Sequence, residues 1–541
     1  MSVTSTDAAM LTAAAPSLHR KISWTGAFWV ASGVPALVLF SIGAIAATVG
    51  RPAWVVWTVS ILFGFIQAFT YAEIAGLFPS KSGGASIYGA VAWARYNKFF
   101  APVSVWCNWF AWSPVLAIGS GLTAGYVLDL LFPDPNAAIK TWQITLLNLG
   151  FLKDGLTLRI NATFFLGAFA MLVTFLIQHG GILKSARATM ILAVAALVPL
   201  MLVSIVPLLT GDVPAAHFSP LVPLGGTGED GKPLDGAWNT AGWTLMAGGL
   251  FIAAWSTYAF ETSVCYTREF MDPQRDTFKA ILYSGLLCIA AFVLIPLGFQ
   301  ANLGLDGMLA PDIYSGMGVA AAMSKFLGGG VLIEKIFVVM MILALMLSIM
   351  TAMAGSSRTL YQASVDGWLP RYLSHCNDHG APTRAMGTDL VFNLFLLLLS
   401  DYVFLLAISN VGYIIFNFLN LNAGWIHRLD RPHWPRPWKA SNLLLGLGAV
   451  LGFVNMFIMG MGAGIWGQGT LMAGLVFSAL ILPVFWYRHY VQDQGQFPAA
   501  MLEDMHLGPD EAGVQRRAGV LPWVAVAGGI AACLLGHTLG A

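Results

Sequence analysis

Residues 255–261 read Trp255-Ser256-Thr257-Tyr258-Ala259-Phe260-Glu261, a polar and aromatic passage ending in a carboxyl group, set inside an apolar run at 240–264. A membrane-spanning helix satisfies its own backbone, and a carboxyl group in hydrocarbon is expensive unless it faces a cavity or carries a proton. The passage therefore predicts an interrupted span. A second interruption is expected at Ala31-Ser32-Gly33-Val34-Pro35, inside the run 24–48. Pro35 removes a backbone donor and clashes with the carbonyl four residues earlier, while Gly33 permits backbone angles that other residues avoid. Gly and Pro are ordinary in packed membrane helices, so either passage alone is ambiguous. Breaks in the first and sixth spans together point to two inverted five-span units with a binding site between them. There half-helix N-termini can hold a carboxylate, and unwound carbonyls an amine or cation.

The span numbers come from the rest of the chain. Of 541 residues, 57% are hydrophobic and 10% charged, and mean hydropathy is +0.73; a soluble domain carries about 25% charge. A span needs about 20 mostly apolar residues. Such runs lie at 24–48, 53–77, 101–132, 160–180, 188–209, 240–264, 280–300, 331–355, 386–400, 402–424, 441–462 and 469–488, with a further one at Gly519–Leu539. The chain reads as an all-α polytopic membrane protein with twelve core spans and a thirteenth. Its divisions are a tail at 1–21, a first repeat at 22–209, an external loop at 210–239, a second repeat at 240–424, two further spans at 425–490, an inner segment at 491–518 and the last span at 519–541.

Lys and Arg set the orientation. Of the 27, only Arg51, Lys140, Lys153, Arg159, Lys232, Lys325 and Lys335 fall on the side away from the N-terminus. The remaining 20 put the N-terminus in the cytoplasm of a cell-membrane protein. A net charge of +1 gives no basic patch for nucleic acid. Five scattered cysteines form no paired motif, and no metal site or cofactor is expected. Hydrolase and nucleotide-binding signatures are missing from the sequence, so an enzyme is not expected. The inner segments 85–97 and 358–382 are expected to lie along the membrane surface as short helices. Glu73 is read as the partner of a loop arginine, and Asp389 and Asp401 as interfacial.

Three segments carry a family resemblance. Tyr71-Ala72-Glu73-Ile74-Ala75 precedes Phe78-Pro79-x3-Gly83-Gly84-x3-Tyr88. The sixth run leads into Arg268-Glu269-x2-Asp272-Pro273-x-Arg275. Ser357-Arg358-x-Leu360-Tyr361 precedes Asp366-Gly367-x-Leu369-Pro370. Over about residues 22–490 these resemble the amino acid–polyamine–organocation (APC) permeases, a superfamily with the leucine-transporter-like inverted-repeat fold. The resemblance implies a secondary transporter binding an amino acid or amine at mid-membrane, on broken helices 1 and 6 and side chains of helices 3, 8 and 10.

On that basis the helix-1 turn is Ser32-Gly33-Val34-Pro35, with Ala31 and Pro35 departing from the family pattern and Ser41-Ile42-Gly43 as the alternative break. Trp255 and Glu261 are similar to the gating Trp and proton-responsive Glu of the arginine/agmatine antiporter branch, and Tyr258, Ala259 and Phe260 lie between them. That branch stacks a helix-8 Trp on guanidinium, and Met350 stands there instead. With Asn108, Trp109, Trp112 and Tyr413, the pocket is apolar and aromatic, which favours neutral amino acids over cationic ones. Ser348 and Thr351, three residues apart, could offer two hydroxyls to Na⁺, or bond back to their own helix. H⁺ coupling and exchange stay open, as does a polyamine or other organic amine as substrate. The expected partners are a small-molecule substrate, the lipid bilayer and H⁺ or Na⁺.

Overall fold

The structure is a computed structural model that describes residues 17–211, 213–228, 232–505 and 516–540. Parts of the expected tail (1–16) and inner segment (506–515) lie outside the described residues. Among the described residues, ten helices are long and apolar enough to cross a membrane: Trp24–Val49, Ala53–Gly76, Phe100–Leu131, Ile182–Thr210, Pro273–Met308, Val331–Val365, Tyr402–Asp430, Asn442–Trp466, Thr470–Gln492 and Leu521–Gly540. Three shorter helical segments lie between them: Ala162–Gln178, Thr240–Thr257 continuing as a 3₁₀ helix at Ala259–Glu269, and Thr383–Leu396. These thirteen segments are numbered spans 1 to 13 in chain order. The chain is an all-α polytopic membrane protein, as its composition required.

Two groups of spans face each other. Span 2 packs along spans 6 and 7, and span 1 lies against 6, 7 and 8. Spans 3, 4, 8 and 9 form the second group. Span 10 lies on span 3, and span 11 touches spans 2, 6, 10 and 13. Among the described residues, strands form only two antiparallel hairpins in the loops, Gln143–Asn148 with Thr157–Asn161 and Leu224–Thr227 with Pro233–Asp235. The first is tied to the turn after span 9: the Arg159 amide donates to Leu398 O at 2.8 Å and the Ser400 amide to Thr157 O at 2.9 Å.

Three expectations need correction. Helix Ala85–Ala94 does not lie on a surface, because nine of its ten residues are buried and Ala94 is half-buried. Its small residues (Ala85, Ser86, Gly89, Ala90, Ala92) let it sink against spans 3 and 10, where the Trp93 indole donates to Leu419 O at 2.7 Å. Residues 358–365 are not a separate surface helix either; they continue span 8, and among the described residues the only helix between spans 8 and 9 is the short 3₁₀ helix Arg371–Ser374. Asp389 is not interfacial. Span 9 starts at Thr383, earlier than the apolar run, which carries Asp389 more than a turn inside, fully buried.

Candidate functional site

Spans 1 and 6 are both interrupted. In span 1 the α-helix ends at Ala31 and a 3₁₀ helix runs from Val34 to Phe40. The α-helix then resumes at Ile42. Pro35 has no N–H to return to Ala31, and the Ser32 and Ala36 amides bond three residues back, to Trp29 O and Gly33 O. The interruption thus covers the Ser32–Pro35 position suggested by the sequence and ends at Ser41, whereas Ile42 and Gly43 of the alternative position are already helical. In span 6 the α-helix stops at Thr257, Tyr258 forms the junction, and Ala259–Glu269 is 3₁₀.

Span 8 holds the first break. A Cβ on Gly33 would overlap the Thr351 hydroxyl and lie 2.7 Å from Leu347 O, so the two backbones meet directly. The Gly33 amide donates to Thr351 Oγ1 at 3.1 Å, and that hydroxyl donates to Val30 O at 2.6 Å. Thr351 therefore supplies a donor and an acceptor where the helix lost both. Ser348 bonds back to Leu345 O of its own helix at 2.7 Å.

Between the breaks is a narrow void, too tight to admit a water molecule, lined by Leu37, Ala111, Trp112, Val115, Trp255 and Tyr413. It draws on spans 1, 3, 6 and 10. The Trp255 indole donates to Ala111 O at 3.0 Å, and its ring lies 6.1 Å from that of Phe40. The buried Tyr413 hydroxyl has no partner. No charged side chain lines the void. Beside it lies Glu261, whose Oε1 accepts from the Trp112 indole at 3.0 Å and from Asn108 Nδ2 at 3.3 Å. Its Oε2 is buried without a partner. Gly83 and Gly84 (φ 96° and 88°) turn the chain toward this carboxylate, and a Cβ on Gly84 would stand 3.6 Å from Oε2 and 2.8 Å from Cys265 Sγ. Only glycine allows that approach.

Of the residues expected at the site, Trp112, Trp255 and Tyr413 line the void. Asn108 reaches Glu261 instead, and its Oδ1 accepts from Ser86 at 3.0 Å. Tyr258 donates to Asn455 Oδ1 of span 11 at 3.0 Å, its ring 6.4 Å from that of Tyr413. Val34, Pro35, Ala259 and Phe260 are buried within the 3₁₀ stretches, as is Ser32 just before the first of them. Met350 is buried, and its carbonyl accepts from Gln178 of span 4. Trp109 turns toward span 9, where its indole donates to Asp389 Oδ1 at 2.5 Å and its ring packs on Trp106 and Phe392. Leu37, Ala111 and Val115 were not foreseen. Their signal was spacing: Leu37 follows Pro35 by two residues, and Val115 lies one turn after Trp112.

Contacts cross the bundle at both of its ends. At the end where span 1 finishes, the short helix Pro311–Tyr314 packs on the last part of span 1, and the Tyr126 hydroxyl donates to Gly316 O at 2.6 Å. At the opposite end the three motif segments meet as ion pairs. Arg358 Nη2 donates to Glu269 Oε1 at 3.0 Å. Lys81 Nζ is 2.6 Å from Asp366 Oδ1 and 2.8 Å from Asp504 Oδ2. Burial works against the Lys81 charge, but the two carboxylates hold its ammonium above the ordinary lysine range. Glu73 has two arginine partners, Arg428 Nη2 at 2.6 Å and Arg436 Nε at 3.1 Å, plus the Ala440 amide at 2.8 Å.

Residues 22–482 match the family described as amino acid permease, which is well over half of the chain.

Proposed function

The chain belongs to the amino acid permease family, within the APC superfamily, and on that premise we propose that it is a secondary transporter moving neutral amino acids by alternating access. The observation that carries this reading is the uncharged aromatic and aliphatic lining that converges on a narrow void between two broken spans. Transport needs a site that each side reaches in turn, and broken helices provide backbone donors and acceptors at mid-membrane for a zwitterion's ammonium and carboxylate. The lining of indole, phenol and aliphatic groups suits an uncharged side chain. In this reading spans 1, 2, 6 and 7 rock against spans 3, 4, 8 and 9, the two halves being inverted repeats.

Glu261 is the coupling group of the proposal. It is buried and touches Trp112, which lines the void, so a proton on it reaches the substrate site through one hydrogen bond. Sodium at Ser348 and Thr351 has less support, since both hydroxyls already bond to protein carbonyls. The location in this reading is the cell membrane, with a cytoplasmic N-terminus.

A second reading, an organic amine or polyamine as substrate, is favoured by one observation: Glu261 Oε2 lacks a partner, and an ammonium would satisfy it. Uptake of a labelled neutral amino acid into proteoliposomes, challenged with unlabelled neutral amino acids and with diamines, separates the two. Competition by neutral amino acids alone supports the first reading. Competition by amines alone overturns it in favour of the second.

A further inference from the structure

A second carboxyl group lies inside the bundle, away from the void. Asp389 of span 9 is fully buried, and none of the ion pairs among the described residues includes it. Its Oδ1 accepts from the Trp109 indole at 2.5 Å and from the Ser113 hydroxyl at 2.9 Å. Asn393, one turn on, fixes Ser113 through Nδ2 at 2.8 Å and accepts from the Ala117 amide at 3.2 Å. Asp389 Oδ2 touches only Ser356 Oγ of span 8, and Ser356 Oγ is also 2.8 Å from Ala352 O.

That last contact decides the chemistry. A serine hydroxyl has one hydrogen, and here two oxygens compete for it, Asp389 Oδ2 and Ala352 O. A proton on Oδ2 completes the chain: Asp389 donates to Ser356, and Ser356 donates to Ala352. Without that proton, an anion in the bundle interior has no cation to offset it. The groups facing Asp389 are Trp109 and Ser113 from span 3, Ser356 from span 8 and Asn393 from span 9, all uncharged. Elsewhere on these elements, Arg358 of span 8 is bound to Glu269 and Cys107 of span 3 is buried.

We propose that Asp389 is a proton-holding site, distinct from Glu261, and that the two carboxyl groups hold span 3 from two neighbouring faces, about 100° apart around the helix. Span 3 carries two adjacent pairs at helical spacing. Asn108 and Trp112 bond Glu261, whereas Trp109 and Ser113 bond Asp389. Trp112 lines the void, so a change at either carboxyl moves or holds the helix that forms one wall of it. The proposal does not depend on the identity of the substrate.

Infrared difference spectroscopy of the purified full-length chain tests it. At neutral pH, the wild-type minus Asp389→Asn spectrum is expected to contain a carboxylic acid C=O band, and the wild-type minus Ser356→Ala spectrum a shift of the same band. Asn fits because its amide can donate to Ser356 while its carbonyl accepts from Trp109 and Ser113. A difference spectrum showing carboxylate bands instead, or no band, would overturn the proposal. Should Asp389→Asn not fold, the Ser356→Ala spectrum decides alone, an unmoved band counting against it. In proteoliposomes, Glu261→Gln is expected to keep a residual pH dependence of uptake that the Glu261→Gln/Asp389→Asn pair loses. Equal profiles for the single and double variants would remove the coupling role.

Discussion

Replacing Glu261 separates two roles that one carboxyl group combines. Its Oε1 accepts from the Trp112 indole and Asn108 Nδ2, at 3.0 and 3.3 Å, while Oε2 has no partner. Glu261→Ala strands both donors in the interior. At about 1–3 kcal/mol for each unsatisfied buried group, the loss is about 2–6 kcal/mol. Glu261→Gln keeps an acceptor at Oε1 and exchanges one unpartnered atom for another, so its stability is expected to stay within about 1–2 kcal/mol of wild type. Thermal unfolding in detergent, followed by tryptophan emission, measures both. Proteoliposome uptake as a function of pH then reads the second role. Glu261→Gln is expected to fold, to transport, and to lose most of its pH dependence, since it can no longer take up a proton there. An Ala variant as stable as wild type would refute the hydrogen-bond account, and a Gln variant with the wild-type pH profile would refute the coupling role.

Other perturbations probe the remaining contacts. Gly33→Ala forces a methyl group into Thr351 and the Leu347 carbonyl, and overpacking of this kind is expected to remove about 1–3 kcal/mol and abolish uptake; near-normal uptake would show that spans 1 and 8 separate freely. Trp255→Phe loses the bond to Ala111 O, so KM should rise with stability lowered by about 0.5–1.5 kcal/mol, measured by uptake and thermal unfolding. Glu73→Gln leaves Arg428 and Arg436 without their carboxylate, and about 3–5 kcal/mol of stability should go with it in a denaturation series. For Lys81, a folded-state pKa raised above the unfolded value means its contribution is complete below about pH 10.4 and fades only as pH climbs past the folded value. The destabilisation by Lys81→Met is therefore expected to be equal at about pH 7 and 9, and a fall over that interval would contradict the pairing with Asp366 and Asp504.

The sequence by itself determined the class of molecule and where its helices fail. Apolar runs set the spans because hydrocarbon leaves a backbone no other partner than itself, and Pro35 and the Ser256–Glu261 passage marked the breaks because a missing donor or a buried carboxyl group disrupts a helix wherever it stands. Glu73 was legible for the same reason: a charge at a helix end needs an opposite one. Which side of each span faces the void was not. Trp109 and Trp112 are three residues apart on one helix, yet one meets Asp389 and the other Glu261 and the void, a division set by how span 3 is rotated between spans 6 and 9. Asp389 looked interfacial because hydropathy locates the apolar stretch and not the first turn of the helix. The burial of helix Ala85–Ala94 and the stitching of Gly33 to Thr351 likewise depend on neighbours distant in the chain. Periodicity and composition act locally, whereas the facing of side chains is fixed only when the helices are packed.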